Sequence, residues 1–387
     1  MTQQAPRIVI IAGEPSGDVL GARLMTALQR ATGGAVRIEG IGGEQMGRAG
    51  LHSRFPMTEL GHMGFVELLP HLRRLLRRIR ETANWLRAER PDLLVTIDAP
   101  AFNLRIARQL KGCGFPLLHY VAPTVWAWKP WRAEKFARVF DHLLALLPFE
   151  PPYFTVHGLA CTYVGHPALE TMAGAADGPG FRRRHDIPAD AKVVCLLPGS
   201  RRMEIKLLLS DFAAAIRALA VRHPDLRVVL PTVASVAQIA EAGAKACGVP
   251  VTVVSEPAEK RDAFAACDVA LAASGTVAVE LAAVGTPAII AYRANPITAA
   301  IVRRLIKIRF ASLVNLVLNR EATPELLQEK CRPALMTEAL ERLLSDPSAR
   351  SAQKTAYAEA LGKLAVHGLP SEQAAAVALS MIGGKKT

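Results

Sequence analysis

Short apolar runs recur along this chain, and most stop at a loop of glycine, proline or small polar residues before a stretch with helical periodicity. In the first half the runs fall at 7–12, 36–41, 92–97, 115–121 and 141–146. In the second half they fall at 193–198, 226–231, 251–254, 268–272 and 287–291, and beyond 296 the pattern is mostly helical. A strand that is apolar at nearly every position has no face to give to water, so it must be covered on both sides. Alternation with helices predicts an α/β fold with parallel sheets. Ligands of such sheets bind beyond the carboxyl ends of the strands, which directs attention to the loops that follow the runs.

The chain has 387 residues, and a single core tends to split above about 250–300 residues. Residues 165–190 change character: Gly165-His166-Pro167 is followed by a Gly- and Ala-rich stretch and by Arg182-Arg183-Arg184-His185. A linker is expected there, with domains at 1–168 and 185–350 and a helical segment at 351–387. The net charge of +13 suits an anionic partner, a phosphorylated substrate or an anionic lipid surface. Nucleic acid fits less well, because only 5% of residues are aromatic and no nucleic-acid-binding signature is present. None of the six cysteines forms C-x-x-C, and no His/Cys/Asp/Glu grouping has metal spacing; a reducing compartment and no metal are expected. Ile8 to Ile11 is too short for the core of a signal peptide, and the longest apolar tract, about 269–291, contains Glu280 and Pro287 and reads as strand–helix–strand rather than a membrane span.

Several exit loops carry chemistry. Cys267 to Leu281 reads as strand, small-residue turn and helix, with Ser274-Gly275-Thr276 at the helix mouth. Unpaired N–H groups and the helix dipole suit an anion there, and Glu280 one turn on could accept from two sugar hydroxyls. Ordinary packing is the alternative, with Ser274 or Thr276 as a cap and Glu280 facing water. Gly199-Ser200-Arg201, with Glu204 following, supplies a tight turn, a hydroxyl and a guanidinium able to grip a diphosphate; exposed charges flanking a helix are the alternative. Gly13-Glu14-Pro15-Ser16-Gly17-Asp18 follows the first strand without the G-x-G-x-x-G fingerprint, and Ser16 or Asp18 would equally serve as a cap. Asp98 closes a strand, where it is either a general base or the N-cap of a helix with Pro100 in its first turn. Trp126, Trp128 and Trp131 cluster beside Lys129, as a packed loop or as a platform for sugar or acyl chains. His166 reads as a hinge residue rather than a ligand.

Leu68, Leu69, Leu72, Leu75, Leu76 and Ile79 repeat at helical spacing, with Arg73, Arg74, Arg77, Arg78 and Arg80 between them and Phe65 and Val66 just before. The stripe either faces a sheet or, with the arginines, docks on an anionic membrane through Phe65, Val66, Leu68, Leu69, Leu72, Arg73 and Arg74. Residues 301–310 have the same flavour.

These residues, taken together and in order, resemble lipid-A-disaccharide synthases. The resemblance is carried by Ala12 to Asp18, Ile97-Asp98-Ala99-Pro100-Ala101-Phe102-Asn103, Ala122 to Trp128, Val164 to Pro167, Leu197 to Arg201, Ser274-Gly275-Thr276 with Glu280, and Pro324 to Gln328. It implies the GT-B fold, two Rossmann-like domains whose parallel sheets face a central cleft, with 351–387 crossing back to the N-terminal domain. It implies an inverting glycosyl transfer without a metal or other cofactor: UDP-2,3-diacylglucosamine is joined to 2,3-diacylglucosamine 1-phosphate, giving the β-1,6 disaccharide of lipid A and UDP. The expected setting is the cytoplasmic face of the inner membrane, as a peripheral protein, possible homodimer included. By match to the family's motifs, Asp98 is the base; Gly199, Ser200, Arg201, Glu204, Ser274, Gly275, Thr276, Glu280, Asn315, Glu325 and Gln328 bind the donor. Gly13, Glu14, Ser16, Gly17, Asp18, Trp126, Trp128 and Lys129 are placed at the acceptor. The family pattern has Pro before the Asn at 315, and this chain has Val314. Competing readings are another UDP-N-acetylglucosamine enzyme of the same fold, an epimerase or a lipid-linked transferase, and a basic membrane-binding protein without catalysis.

Overall fold

A computed structural model of the chain describes residues 5–60, 68–273, 275–295 and 309–383, and for 68–72 and 101 the backbone only. The chain divides into two compact units, 1–170 with 366–387, and 171–365.

The first unit is built on β1 (Arg7–Ala12), β2 (Arg37–Ile41), β3 (Leu93–Ile97), β4 (Leu117–Tyr120), β5 (His142–Ala145) and β6 (Ala160–Tyr163). They form one parallel sheet in the order β2-β1-β3-β4-β5-β6. The side-chain alternation of β1 explains its unbroken apolar run. Ile8, Ile10 and Ala12 pack with Leu93, Val95 and Ile97 on one face, and Val9 and Ile11 pack with Leu94 and Phe102 on the other. The first face is covered by the helix Pro15–Ala31 and by the C-terminal helix Pro370–Gly383, whose Ala374, Ala375 and Ala378 join that core. Ser371 fixes the returning chain by donating to Glu170 from its hydroxyl, at 2.8 Å, and its backbone N–H, at 3.1 Å.

The second unit holds β7 (Val193–Leu197), β8 (Arg227–Pro231), β9 (Val251–Val254), β10 (Val269–Ala272), β11 (Ala288–Tyr292) and β12 (Glu325–Leu327), again all parallel, in the order β12-β11-β10-β7-β8-β9. Numbered within the unit this is the dinucleotide-fold order 3-2-1-4-5-6.

Two expectations about boundaries change. Residues 165–190 are not a loose linker: Phe181 is fully buried, and Arg182 donates to the carbonyls of Ala266, Ala189 and Ala191 at 2.8 to 3.1 Å. Arg184 pairs with Asp262 at 3.0 Å. The arginine run therefore staples the second unit, which begins at Thr171 rather than 185. Of 351–387, only the part from Val366 belongs to the first unit; the helix Pro347–Leu364 packs in the second, where Ala356, Tyr357 and Ala360 are core. Among the described residues no helix is long and apolar enough to cross a membrane.

Candidate active site

In the first sheet β2 lies on one side of β1 and β3 on the other, so strand order reverses between β1 and β3. Exit loops part at such a reversal and leave a crevice. At this one β3 exits into Asp98–Ala99, whereas β1 exits into only Gly13 and Glu14: the expected loop 13–18 is shorter, because Pro15 to Asp18 form the first turn of the helix Pro15–Ala31. The two exits are packed closely: a Cβ added to Gly13 would fall 2.6 Å from the Ala99 Cβ, and one added to Gly17 would touch the Ile97 carbonyl at 3.4 Å.

Asp98 does not cap the helix that follows. The N-cap of Pro100–Leu110 is Ala99, which makes no side-chain cap bond. Asp98 and Ala99 both have left-handed backbone, φ 50° and 41°, a conformation that L-residues avoid by roughly 1–2 kcal/mol each. The half-buried Asp98 carboxylate accepts from the Ser16 hydroxyl at 3.3 Å. Asp18, expected to reach the acceptor, is committed elsewhere. It is buried, and its two oxygens accept from the backbone N–H groups of Gly43, Gln45 and Met46 at 2.7 to 3.1 Å. That arrangement neutralises the orphan donors at the start of the helix Glu44–Arg48. Glu14, the N-cap of the helix Pro15–Ala31, and Ser16 in its first turn are exposed.

The tryptophans separate into different roles. Trp126 is half-buried, its indole N–H donating to Glu150 at 3.0 Å and its ring meeting Phe149 edge-on. Glu150 also accepts from the N–H groups of Leu146 and Leu147, yet burial pushes its carboxyl up to about 7. Trp128 lies under the Lys129 ammonium, 4.1 Å from its ring centroid. Trp131 is exposed. His166 is buried, and its Nδ1 accepts from the Ala168 N–H at 3.2 Å; desolvation lowers the imidazole to about 4. It sits inside the first unit and packs as a neutral core side chain.

The second sheet reverses between β7 and β10; β7 is followed by Pro198–Arg201, and the described residues after β10 are Ala273, Gly275 and Thr276. Gly199 has φ 117°, and a Cβ there would come within 2.4 Å of Glu204. Glu204 does not present itself to a ligand. One oxygen accepts from the N–H groups of Ser200 and Arg201, at 3.0 and 3.2 Å, and the other pairs with the Arg201 guanidinium at 3.0 Å. This is a capping box on the helix Arg202–Ala220. The Arg201 side chain remains exposed. Tyr292, at the end of β11, borders this loop; burial, with the Glu204 charge nearby, raises its phenol.

Ser274 lies outside the described residues. Gly275, at φ 145°, has open space where a Cβ would be, and Thr276 makes no side-chain cap bond to the helix Val277–Val284. Glu280 does not face water: it is 9% exposed, and Lys260 donates to it at 2.6 Å. Lys260 carried no signal in the sequence, because its partner lies 20 positions away on another helix.

Asn315 and Glu325 shape the far part of this unit from inside. Asn315 is fully buried, with every valence used: it donates to the Thr323 carbonyl and to Glu325, both at 2.7 Å, and accepts from the N–H groups of Ala322 and Thr323, both at 2.8 Å. Glu325 accepts further from the N–H groups of Ala311 and Ser312. Gln328 accepts from Ala294 at 3.3 Å. These three side chains brace loops rather than project from them. Val314 takes the second position of the helix Leu313–Leu318, where an N–H has no intrahelical partner, so Val and Pro are equivalent there for hydrogen bonding.

Phe65 and Val66 lie outside the described residues, as do the side chains of Leu68, Leu69 and Leu72. Of the same stripe, Leu75 and Ile79 are core, Leu76 is part-exposed, and Arg73 and Arg74 are exposed. The region 296–308, which holds most of the second basic cluster, is also outside. A cavity of about 240 Å³ opens at the amino ends of β7, β10 and β11, beside Lys192, Asp268 and Pro287. It is at the wrong end of the strands for the chemistry above, and Asp268 there accepts from the Val193 N–H. Among the described residues no cluster of His, Cys, Asp and Glu is arranged to hold a metal.

Two parallel six-stranded units with candidate residues on the exit loops at both reversals define the GT-B class of glycosyltransferase fold. Solved structures agree: a Staphylococcus aureus MnaA–UDP co-structure aligns over 95% of this chain and 94% of its own at TM-score 0.66 and 14% identity. The calicheamicin glycosyltransferase CalG4 aligns over all of both chains at TM-score 0.59 and 19% identity. The sequence profile of lipid-A-disaccharide synthetase matches residues 8–377. A lipid-A-disaccharide synthase of Rhodospirillum centenum is 51% identical over 380 residues, 97% of this chain and 94% of that protein. The chain belongs to the lipid-A-disaccharide synthase family.

Proposed function

We propose that Asp98 is the general base of an inverting transfer from UDP-2,3-diacylglucosamine to 2,3-diacylglucosamine 1-phosphate. In this reading the carboxylate takes the proton of the acceptor's 6-hydroxyl as that oxygen bonds to the donor's anomeric carbon. The bond from that carbon to the diphosphate oxygen breaks, and UDP leaves. What supports it is the placement of Asp98 at the sheet reversal, in a left-handed turn and free of any capping duty. The donor belongs to the second unit. Arg201 and the helix start at Gly275 meet the diphosphate, and Glu280 accepts from the ribose hydroxyls while Lys260 holds it. Because Glu204 already fills the N–H groups of Ser200 and Arg201, the exposed guanidinium carries the charge stabilisation on that loop. Glu14, Ser16, Trp128 and Lys129 are assigned to the acceptor.

Both substrates carry acyl chains, so the protein works as a peripheral enzyme at the cytoplasmic membrane face, docking through Phe65 to Arg74. The decisive test is Asp98→Asn assayed with radiolabelled donor. Turnover should fall by about 10²–10⁴-fold with UDP affinity kept. Near-parental turnover would return Asp98 to a structural role.

A further inference from the structure

We propose that Asn103 is the positioning residue for Asp98, its buried carboxamide locking the left-handed turn from which the carboxylate projects; the inference rests on the assignment of Asp98 as base. The chain has two residues in which to pass from β3 into the helix Pro100–Leu110. Both are left-handed and neither is glycine. Such a turn persists only when its surroundings over-determine it. Asn103 is the group that does so. Its Nδ2 donates to the carbonyl of Ile97 at 3.1 Å and to that of Asp98 at 2.8 Å, so one amide ties down the residues on both sides of the strand's end. Its backbone N–H makes the ordinary first-turn helical bond to the Ala99 carbonyl at 3.0 Å, so what is particular to this residue is the side-chain amide.

The orientation of the amide follows from these partners. Both are carbonyl oxygens, and a flipped amide would set oxygen against oxygen. Asn103 is fully buried, and its Oδ1 has no partner among the described residues. A buried acceptor without a partner is a cost, so the side chain is not explained by general core packing; its two N–H groups are what the site uses. The carboxylate of Asp98 has a single hydrogen bond among the described residues, the Ser16 hydroxyl at 3.3 Å. Side-chain contacts therefore do little to aim it, and its direction is set by the backbone that Asn103 holds. Gly13, packed against Ala99, leaves the turn no room to relax toward the first loop.

The test uses the full-length protein with Asn103→Ala, Ala99→Gly, the double variant and Asp98→Asn. Turnover is measured per UDP-binding site, well below each variant's melting temperature, so that loss of folded protein does not count as loss of chemistry. Asn103→Ala should lower kcat by about 10²-fold while the acceptor KM and UDP affinity stay within about threefold, the pattern of a misplaced catalytic group. Glycine adopts left-handed backbone without penalty, so the double variant should recover at least about tenfold of that loss. A kcat for Asn103→Ala within about threefold of the parent overturns the proposal. If Asn103→Ala does not fold, the double variant decides: turnover near that of Ala99→Gly supports the lock, and low turnover or failure to fold overturns it. Near-normal turnover of Asp98→Asn would sink the base assignment itself, whereas impaired Asp98→Asn with normal Asn103→Ala rejects only the positioning role.

Discussion

Single carboxylates and amides in this chain show how far a motif residue can be engaged by the fold itself. Asp18, Glu204, Asn315 and Glu325 stand in motifs, and each accepts from backbone N–H groups, Glu204 and Glu325 from a side-chain donor as well. Glu280 is different: one of its oxygens meets Lys260, and its place in the helix that follows β10 suits a ribose. Glu280→Ala should weaken UDP binding by about 1–3 kcal/mol, the range for a lost hydrogen bond to a charged group; unchanged affinity in titration calorimetry would remove Glu280 from the donor site. His166 gives a pH prediction. Its folded value of about 4 lies below the unfolded value near 6.5, so the unfolded state binds the extra proton between them. Its contribution is therefore present above about pH 6.5 and is lost as the pH falls toward 4, reaching a loss of about 2 kcal/mol by pH 5. In His166→Asn the amide oxygen can still accept from Ala168, but the titration is gone. Denaturant unfolding at pH 7 and pH 5 should show the variant losing about 2 kcal/mol less stability than the parent. Equal losses would mean that His166 is not held neutral.

At the scale of elements, the helix Leu68–Glu89 carries a stripe with two employers. Leu75 and Ile79, with Ala83 and Leu86 further on, are core. The apolar residues before them are the ones assigned to lipid. Changing Val66, Leu68 and Leu69 together to Ser should release much of the protein from anionic vesicles, because burying such side chains is worth about 1.5–3 kcal/mol each. Leu75→Ala should instead cost about 2–5 kcal/mol of stability with vesicle binding unchanged. If the Ser variant floats like the parent and melts early, the whole stripe is core. The elements that escaped the sequence pattern are β6 and β12, of four and three residues. Both are edge strands, neither is fully buried, and neither has the continuous apolar run that marks a strand covered on two faces.

For the whole molecule, the two units should answer a nucleotide differently. UDP at about a hundredfold excess over its Kd should stabilise the unit that binds it by about 2.7 kcal/mol. Hydrogen exchange should show the protection gathered on the loops after β7 and β10, within 171–365. Protection confined to 1–170 would place the nucleotide in the wrong unit. Vesicle binding should also weaken with salt, since a net charge of +13 acts through exposed side chains that ions screen.

The sequence by itself determined the α/β class, most of the strands and the loops that matter, because a strand buried on both faces must be apolar throughout and must end in a turn whose residues are visible. Motif order along the chain also carried the family. Only the tertiary structure decided the strand order, and with it the two reversals that set Gly13–Asp18 beside Asp98 and Pro198–Arg201 beside Gly275. It alone separated Asp98, which caps nothing, from Asp18, whose capping partners lie 25 to 28 positions away. It alone supplied Lys260 to Glu280 and two backbone carbonyls to the Asn103 amide. Hydrogen-bond partners distant in sequence leave no periodicity to read: a carboxylate's role is fixed by which donors the fold brings to it, and that depends on how the strands are ordered.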